Sequence, residues 1–345
     1  MNVSKMFFAT LASCVLFASC SKDNDTIEPL GIYENGILVV NEGNGSAGSV
    51  TYINNNLSTI QQNVYGAENA NDGIGGYVQS IFFNNEKAFI ISNGSNKITV
   101  VNRYTFKLID KIETGFSVPR YGVVYNGKAY VTNLASFASL TDDFISVINL
   151  STYEVETTIP VNAIADKIAL INGKLYVSNG TYGDGNSLKV INPVTNSVVK
   201  TLTFGNSPNS MEEKNGTLYV LCSNYSSNSE LVKINLSTDT ILSTTVLPLS
   251  LGNAQNLNLE NDKLYFTVDS KVYSENLTTT SISTTPLFTS TATTLYGFKV
   301  ENNRIYTADA KDYASDGRIF VNNLSGILER EIPVGLIPNG FYFND

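Results

Sequence analysis

Apolar and polar residues are interleaved in short runs from residue 36 to the end of the chain. One clear set lies at residues 174–178, 187–192 and 197–202, where β-branched and aromatic residues alternate with polar ones. This alternation predicts β-strands, and the turn-forming residues 193–196 predict a tight connection between the second and third of them. No helical period occurs after residue 30. The pattern therefore predicts an all-β domain made of short antiparallel strands.

The same pattern recurs seven times along the chain. Its clearest copies, residues 126–133 and 172–179, read NGKAYVTN and NGKLYVSN, and the other copies begin near residues 35, 85, 215, 261 and 302. Asn-Gly favours a two-residue hairpin, because both central positions of a type I′ turn need positive φ. The copies are 41 to 51 residues apart, which is the length of a propeller blade. Each repeat accommodates four strands, and such a sheet buries both of its faces when the repeats stack around an axis.

The first repeat lacks one strand, and the C-terminal end of the chain supplies an extra one. The first copy lacks a strand before Gly36, while residues 338–343 (PNGFYF) read as a strand without a repeat of its own. We expect this last strand to pair with the sheet around Val39, because closure leaves no open sheet edge. The sequence thus predicts a seven-bladed β-propeller over residues 36–345, with four antiparallel strands per blade and the ring closed by the C-terminal strand in the first blade.

The first 35 residues have a different character. Residues 6–18 form an apolar run too short for a comfortable membrane span, and it ends in small residues before Cys20, which is typical of a signal peptide. Residues 17–20 (FASC) resemble the lipobox of bacterial lipoproteins, so we expect signal peptide 1–19, lipidation at Cys20 and a polar, flexible tether over 20–35. The alternative is a plain signal peptide followed by an incidental cysteine.

Composition excludes several classes of function. A formal charge of −9 argues against binding to nucleic acid and against docking on anionic lipid, which leaves the lipid anchor as the expected membrane contact. The chain has no histidine, so it lacks the commonest general base and metal ligand. The one cysteine left in the mature chain, Cys222, lies in a strand pattern and is expected to be a small buried hydrophobe.

Acidic residues are the remaining candidates for chemistry. Glu42, Asp184, Asp309 and Asp312 lie in loops and would make a glycosidase-type pair only if two of them met within about 5–10 Å. We favour solvated loop acids. Residues 309–317 carry carboxylates suited to calcium but lack the spacing of an EF-hand loop. No catalytic residue, metal or cofactor is therefore predicted.

Ligand binding is better supported than catalysis. The loops between the second and third strands of each blade should emerge on one face, at residues 41–49, 92–96, 132–144, 178–187, 222–230, 268–270 and 308–317. They carry aromatic residues among amides and glycines, a combination that suits a large amphipathic ligand or a protein surface. The candidate aromatic contacts are Phe137, Tyr182, Tyr225 and Tyr313, and the candidate acidic contacts are Glu42, Asp184 and Asp309. Each aromatic side chain could instead pack its own loop.

Four asparagines occupy equivalent positions just after a strand, namely Asn41, Asn93, Asn133 and Asn179. If their amides face the axis, they form a platform for a ligand. A turn stabilised by the asparagine side chain explains each of them equally well.

The repeat strings carry a family resemblance. AYVTN at 129–133 and LYVSN at 175–179 are followed by ISVIN at 145–149 and LKVIN at 188–192, and together they resemble the YVTN repeats of YncE-like β-propellers. With the lipobox and the opening LVVNEGN at 38–44, the chain is more similar to the propeller lipoproteins of Bacteroidota, which include the BtuG-like proteins. That resemblance implies a protein anchored to the outer membrane, exposed at the cell surface, that captures cobalamin or another corrinoid for a TonB-dependent transporter. We expect the protein to be a monomer on its own.

Two other functions stay open from the sequence. The chain could be a protein-interaction scaffold of the envelope, which a large apolar patch on the loop face without a pocket would favour. It could also be a lyase or glycosidase, which a buried carboxylate pair in a cleft would favour.

Overall fold

The computed structural model describes residues 30–45, 47–181 and 183–345. In this part of the chain, 28 strands form seven sheets, each of four antiparallel strands. The predicted fold class is thereby confirmed: the protein is a seven-bladed β-propeller.

The strands of the first four blades are as follows. Blade 1 contains β1 (Gly36–Asn41), β2 (Ser49–Asn54) and β3 (Ile60–Gln61), and helix α1 (Val64–Glu68) follows. Blade 2 contains β4 (Val78–Asn84), β5 (Lys87–Ser92), β6 (Lys97–Asn102) and β7 (Leu108–Ile112). Blade 3 contains β8 (Pro119–Tyr125), β9 (Lys128–Asn133), β10 (Phe144–Asn149) and β11 (Glu154–Pro160). Blade 4 contains β12 (Ile168–Ile171), β13 (Lys174–Thr181), β14 (Asp184–Asn192) and β15 (Ser197–Thr203).

The remaining blades have the same order. Blade 5 contains β16 (Ser207–Lys214), β17 (Thr217–Ser223), β18 (Glu230–Asn235) and β19 (Thr240–Val246). Blade 6 contains β20 (Gln255–Glu260), β21 (Lys263–Val268), β22 (Lys271–Asn276) and β23 (Phe288–Thr289). Blade 7 contains β24 (Leu295–Glu301), β25 (Arg304–Asp309), β26 (Asp316–Asn323) and β27 (Leu328–Leu336), and β28 (Pro338–Phe343) returns to blade 1. Single 3₁₀ turns lie at Asn93–Ser95 and Leu249–Leu251.

The ring closes as the sequence predicts. Strand β28 pairs antiparallel with β1, placing Val39 opposite Phe341 and Ile37 opposite Phe343. The first strands of neighbouring blades adjoin one another around the axis, and β28 supplies the inner strand of blade 1.

Hydrophobic packing explains why each repeat needs its neighbours. In the described part of the chain, seven clusters of buried side chains lie one at each interface between adjacent blades. In β13, Leu175 and Val177 pack toward blade 3, whereas Tyr176 packs toward blade 5. A single strand therefore serves two interfaces, as alternation across a pleated sheet requires.

The Asn-Gly turns have the conformation that the sequence predicts. Asn172 and Gly173 have φ values of 50° and 73°, as a type I′ turn demands of both central residues. Asn-Asp and Asn-Asn make the equivalent turns at 261–262 and 302–303, with φ between 47° and 60°.

Two regions differ from the expectation. The outer strand of blade 1 is only the two residues of β3, and Val64 and Tyr65 of α1 fill the interface between blades 1 and 2 beside it. The one-turn helix was not predicted, because five residues are too few to show a period. The end of the expected tether is packed: Tyr33 is 1% exposed and its backbone N–H donates to the Tyr104 carbonyl at 3.0 Å. The signal peptide and Cys20 lie outside the described residues.

Candidate ligand-binding face

The two ends of the propeller carry different connections. The inner strands begin at one end, which also holds the loops between the second and third strands of each blade; we call it the loop face. The opposite end holds the Asn-Gly turns and is the turn face. The prediction that the seven variable loops share one face follows directly from the observed strand order.

A cavity of about 520 Å³ opens at the centre of the loop face, and we call it the mouth cavity. The loops contribute Glu42, Asn93 and Phe137 to its wall. The starts of the inner strands contribute Gln79, Arg120, Tyr121, Asn256, Tyr296 and Asn339, and Lys167 just before β12 completes that set. Both aromatic and hydrogen-bonding groups therefore face one space.

Two smaller cavities adjoin the mouth cavity. One of about 280 Å³ lies over blades 4 to 6 and shares the Tyr296 side chain with the mouth cavity. The other, of about 240 Å³, follows the inner strands along the axis and shares Lys167 and Asn256 with the mouth cavity. Tyr296 thus forms a ridge between two openings on the same face.

Gln79 organises one side of the mouth cavity. Its Oε1 accepts hydrogen bonds from Arg120 Nη1 at 2.6 Å and from Asn93 Nδ2 at 2.9 Å, while its Nε2 donates to Tyr121 Oη at 3.0 Å. Arg120 Nε also pairs with Asp166 Oδ1 at 2.9 Å, where both side chains are largely buried. A network of this kind fixes the rotamers of its members.

Glu42 lies on the other side. Its carboxylate accepts hydrogen bonds from Asn339 Nδ2 at 3.1 Å and Tyr296 Oη at 3.2 Å. Burial raises the pKa of Glu42, and these two hydrogen bonds oppose the rise by stabilising the charged form. The mouth cavity therefore has an acceptor on one side and cationic groups on the other.

Several predicted site residues do come together. Glu42, Asn93 and Phe137 line the mouth cavity, and Tyr225 lines the adjoining 280 Å³ cavity. Tyr313 contacts the edge of Tyr296 with ring centroids 5.6 Å apart. Asp184 is exposed at the start of β14, and Tyr182 lies outside the described residues.

Four predicted contacts point into the protein instead. Asn41, Asn133 and Asn179 are at most 1% exposed, so the proposed ring of ligand-binding amides does not form from them. Their amides bind neighbouring segments: Asn133 Nδ2 donates to Ser146 Oγ in β10 at 3.0 Å, and Asn179 Nδ2 donates to the Ile164 carbonyl in the loop before β12. Asp309 is also buried, and it accepts hydrogen bonds from the Thr294 and Lys311 N–H groups and from Arg318 Nε. These side chains hold strands and loops of the protein together and do not face a ligand.

The residues at the starts of the inner strands were not predicted. The predicted contacts lie in the loops after each second strand, whereas Gln79, Arg120, Tyr121, Lys167 and Tyr296 come from the approach to each first strand. A signal was present in the charged and aromatic residues directly after Pro119, at a position where the strand pattern should be apolar.

Cys222 is a structural residue of the propeller. Cys222 is fully buried between blades 4 and 5, and burial raises the pKa of its thiol. Among the described residues, no group of three His, Cys, Asp or Glu side chains has the geometry of a metal site. The same residues contain no helix long and apolar enough to cross a bilayer.

The sequence of this propeller matches the model of one protein family. The family described as a domain of unknown function, DUF5074, matches residues 35–327. The chain belongs to the DUF5074 family. No curated protein matches this DUF5074 chain.

Solved structures share its fold. A quinoprotein alcohol dehydrogenase-like protein of Bacteroides thetaiotaomicron has a TM-score of 0.69 at 16% identity, covering 91% of this chain and 79% of its own. A hypothetical selenium-binding protein of Sulfolobus tokodaii has 0.68 at 11%, covering 90% and 93%. A functionally unknown protein of Desulfotomaculum acetoxidans has 0.68 at 10%, covering 90% and 98%. At these identities the likeness concerns the fold alone.

Proposed function

We propose that this DUF5074 propeller is a binding protein that takes a large amphipathic small molecule on its loop face. The observation that carries the proposal is the pair of adjoining cavities that share Tyr296. Cavities of a few hundred Å³ are the usual size for small-molecule sites. A ligand that crosses the Tyr296 ridge would contact both cavities.

The side chains around these cavities suit such a ligand. Tyr77, Phe137, Tyr225, Tyr296 and Tyr313 are each 39% to 71% exposed, so their ring surfaces are accessible to a ligand. Amides and the Glu42 carboxylate lie among them. Aromatic faces bury apolar surface while the amides fix the orientation of the ligand.

Binding without chemical conversion is part of the proposal. The acidic side chains at the cavities are already engaged, Glu42 with Asn339 and Tyr296 and Asp166 with Arg120. A glycosidase needs one carboxyl group to donate a proton and a second to act as nucleophile or base. Both carboxylates therefore already have partners within the protein, and such an arrangement suits contacts with a ligand better than a catalytic acid–base pair.

The resemblance to BtuG-like lipoproteins suggests the ligand and the place of action. We propose cobalamin or another corrinoid as the ligand, captured by a protein that is lipidated at Cys20, exposed on the outer membrane and partnered with a TonB-dependent transporter. A corrinoid is amphipathic and rich in amides, which matches the aromatic and amide groups around the two cavities.

Calorimetric titration of residues 21–345 with cyanocobalamin tests whether the protein binds a corrinoid. We expect binding at micromolar concentration, weakened about ten-fold or more by Tyr296→Ala, since one buried aromatic contact contributes on the order of 1–2 kcal/mol. Val199→Ala, at an exposed position of β15, is the matched control and should bind as the parent does. The absence of both heat and an absorption change in the parent protein would exclude the corrinoid.

Localisation needs a separate experiment. Cells that produce the full chain should incorporate labelled palmitate into it, and Cys20→Ala should abolish the label. Protease added to intact cells should digest the lipidated protein if it faces the medium. A labelled protein that resists protease until the outer membrane is opened would place it in the periplasm.

A further inference from the structure

Lys167 is a cationic side chain of the mouth cavity that forms no ion pair within the described residues, whereas Arg120 pairs with Asp166. We propose that the ligand presents an anionic group, a carboxylate or a phosphate, to Lys167 beside Tyr121. This inference rests on the proposed binding function and specifies the ligand chemistry at one end of the mouth cavity.

The position of Lys167 is defined by its contacts. Its ammonium nitrogen lies 3.7 Å from the centroid of the Tyr121 ring. The residue is half-buried and lines both the mouth cavity and the adjoining cavity of about 240 Å³ along the axis, which we call the axial cavity. In residues 30–45, 47–181 and 183–345, ten ion pairs form, and Lys167 takes part in none of them.

Two acids near Lys167 are paired with other cations. Asp166, the preceding residue, pairs with Arg120 at 2.9 Å. Glu212 in the axial cavity pairs with Lys299 at 3.5 Å. Lys167 therefore faces the mouth cavity while these two carboxylates are paired elsewhere. A contact with an aromatic ring leaves the three ammonium donors able to bind an anion.

The aromatic support is itself held in place. Tyr121 Oη accepts from Gln79 Nε2, and Gln79 is fixed by Asn93 and Arg120. Arg120 lies on the same ring, with its guanidinium carbon 5.7 Å from the centroid. Two cations therefore flank one rigid ring at the cavity wall, so an anion there would meet positive charge without any rearrangement of the protein.

Small aromatic probes that differ only in charge test the inference. Saturation-transfer NMR on the parent protein should detect phenyl phosphate and benzoate, and benzyl alcohol should bind at least about ten-fold more weakly, since a hydrogen bond to a charged group changes affinity by about ten- to hundred-fold. Comparing the two anions separates phosphate from carboxylate preference. Sodium chloride should weaken both.

Variants identify the residue responsible. Lys167→Met should lose at least about ten-fold in affinity for the anionic probes, and Lys167→Arg should retain most of it. Lys271→Met, which removes an exposed lysine at the start of β22, should change nothing. Circular dichroism and thermal melting establish that each variant is folded. Equal binding of the neutral and anionic probes, or full binding by folded Lys167→Met, would overturn the anion site.

The two proposals fail differently. If cyanocobalamin binds the parent and Lys167→Met equally, the corrinoid site stands and the anion site does not. If the anionic probes bind in a Lys167-dependent way while cyanocobalamin does not bind, the anion site stands and another ligand class must be sought.

Discussion

Asp143 shows how one side chain connects a variable loop to the ligand face. It ends the loop between β9 and β10, is 1% exposed, and its Oδ2 accepts a hydrogen bond from the Ala165 N–H at 2.7 Å. Asp166 and Lys167 follow directly, so this bond helps to position two residues of the cavities. Burial, together with the neighbouring Asp142, raises the pKa of Asp143 to about 7.

This raised pKa predicts a pH dependence of stability. In the unfolded chain the carboxyl group titrates near pH 4, so between about pH 4 and 7 the folded state binds the extra proton. The free energy of unfolding should fall as pH rises through that window. Asp143→Asn keeps an oxygen for Ala165 and removes the charge, so it should be more stable than the parent at pH 8 by about 1–2 kcal/mol, allowing for screening.

Urea denaturation of both proteins at pH 5 and pH 8 measures the effect. Asp184→Asn, at an exposed position of the same face, is the control and should follow the parent at both pH values. Parallel behaviour of Asp143→Asn and the parent would show that Asp143 is ionised in the folded protein throughout this range.

Cys222 supports a second prediction at this scale. It is the single cysteine of residues 21–345, and it is fully buried with a raised thiol pKa. Since the thiolate is the reactive form, the native protein should not react with a disulfide reagent, whereas the protein in denaturant should release one equivalent. Rapid labelling of the native protein would contradict the burial.

Individual residues were the least predictable level of this molecule. Recurrence located Asn41, Asn133 and Asn179 correctly at the ends of their strands, but an amide in such a position can face the axis or the neighbouring strand, and the partners that decide this are distant in sequence. Arg120 and Asp166 illustrate the same limit, because they are 46 residues apart and meet only when blades 3 and 4 pack together.

Strands and blades, by contrast, were largely predictable. The runs at 174–178, 187–192 and 197–202 correspond to β13, β14 and β15, because the apolar residues of β13 and β14 are buried against neighbouring blades and the turns need positive φ. Blade 1 departs from the pattern at β3 and α1. β3 is only the two residues Ile60–Gln61, too short for alternation to be recognised, and the packing of Val64 and Tyr65 depends on the neighbouring blade.

Closure by β28 gives a prediction at the level of the element. Phe341 is 6% exposed and packs on Tyr306, with ring centroids 5.5 Å apart, at the interface of blades 7 and 1. Phe341→Ala should lower the free energy of unfolding by about 3 kcal/mol, because it removes a buried ring and leaves a cavity. Chemical denaturation measures this. Leu328→Ala, at a half-exposed position of β27, should cost far less, and equal losses would mean that β28 contributes little to closure.

The C-terminal end of the propeller and the mouth cavity lie on opposite faces of the molecule. The Gly36 and Phe343 ends of β1 and β28 lie at the turn face, where the Asn35 N–H donates to the Asn344 carbonyl at 2.9 Å. The mouth cavity opens on the loop face. The ring and the shared face of the loops could be predicted from the sequence. Which of the two faces binds a ligand could not, because the cavity depends on how the inner strands approach the axis.

This separation predicts the effect of bulky insertions. A fluorescent protein fused after Asp345 should leave the affinity for phenyl phosphate or cyanocobalamin unchanged, since it would extend from the turn face. The same domain inserted between Ala138 and Ser139, one residue beyond Phe137 in the loop from β9 to β10, should reduce affinity at least about ten-fold by covering the mouth cavity. Thermal melting confirms that both fusions keep a folded propeller. If the terminal fusion blocked binding and the loop insertion did not, the ligand would have to bind at the turn face.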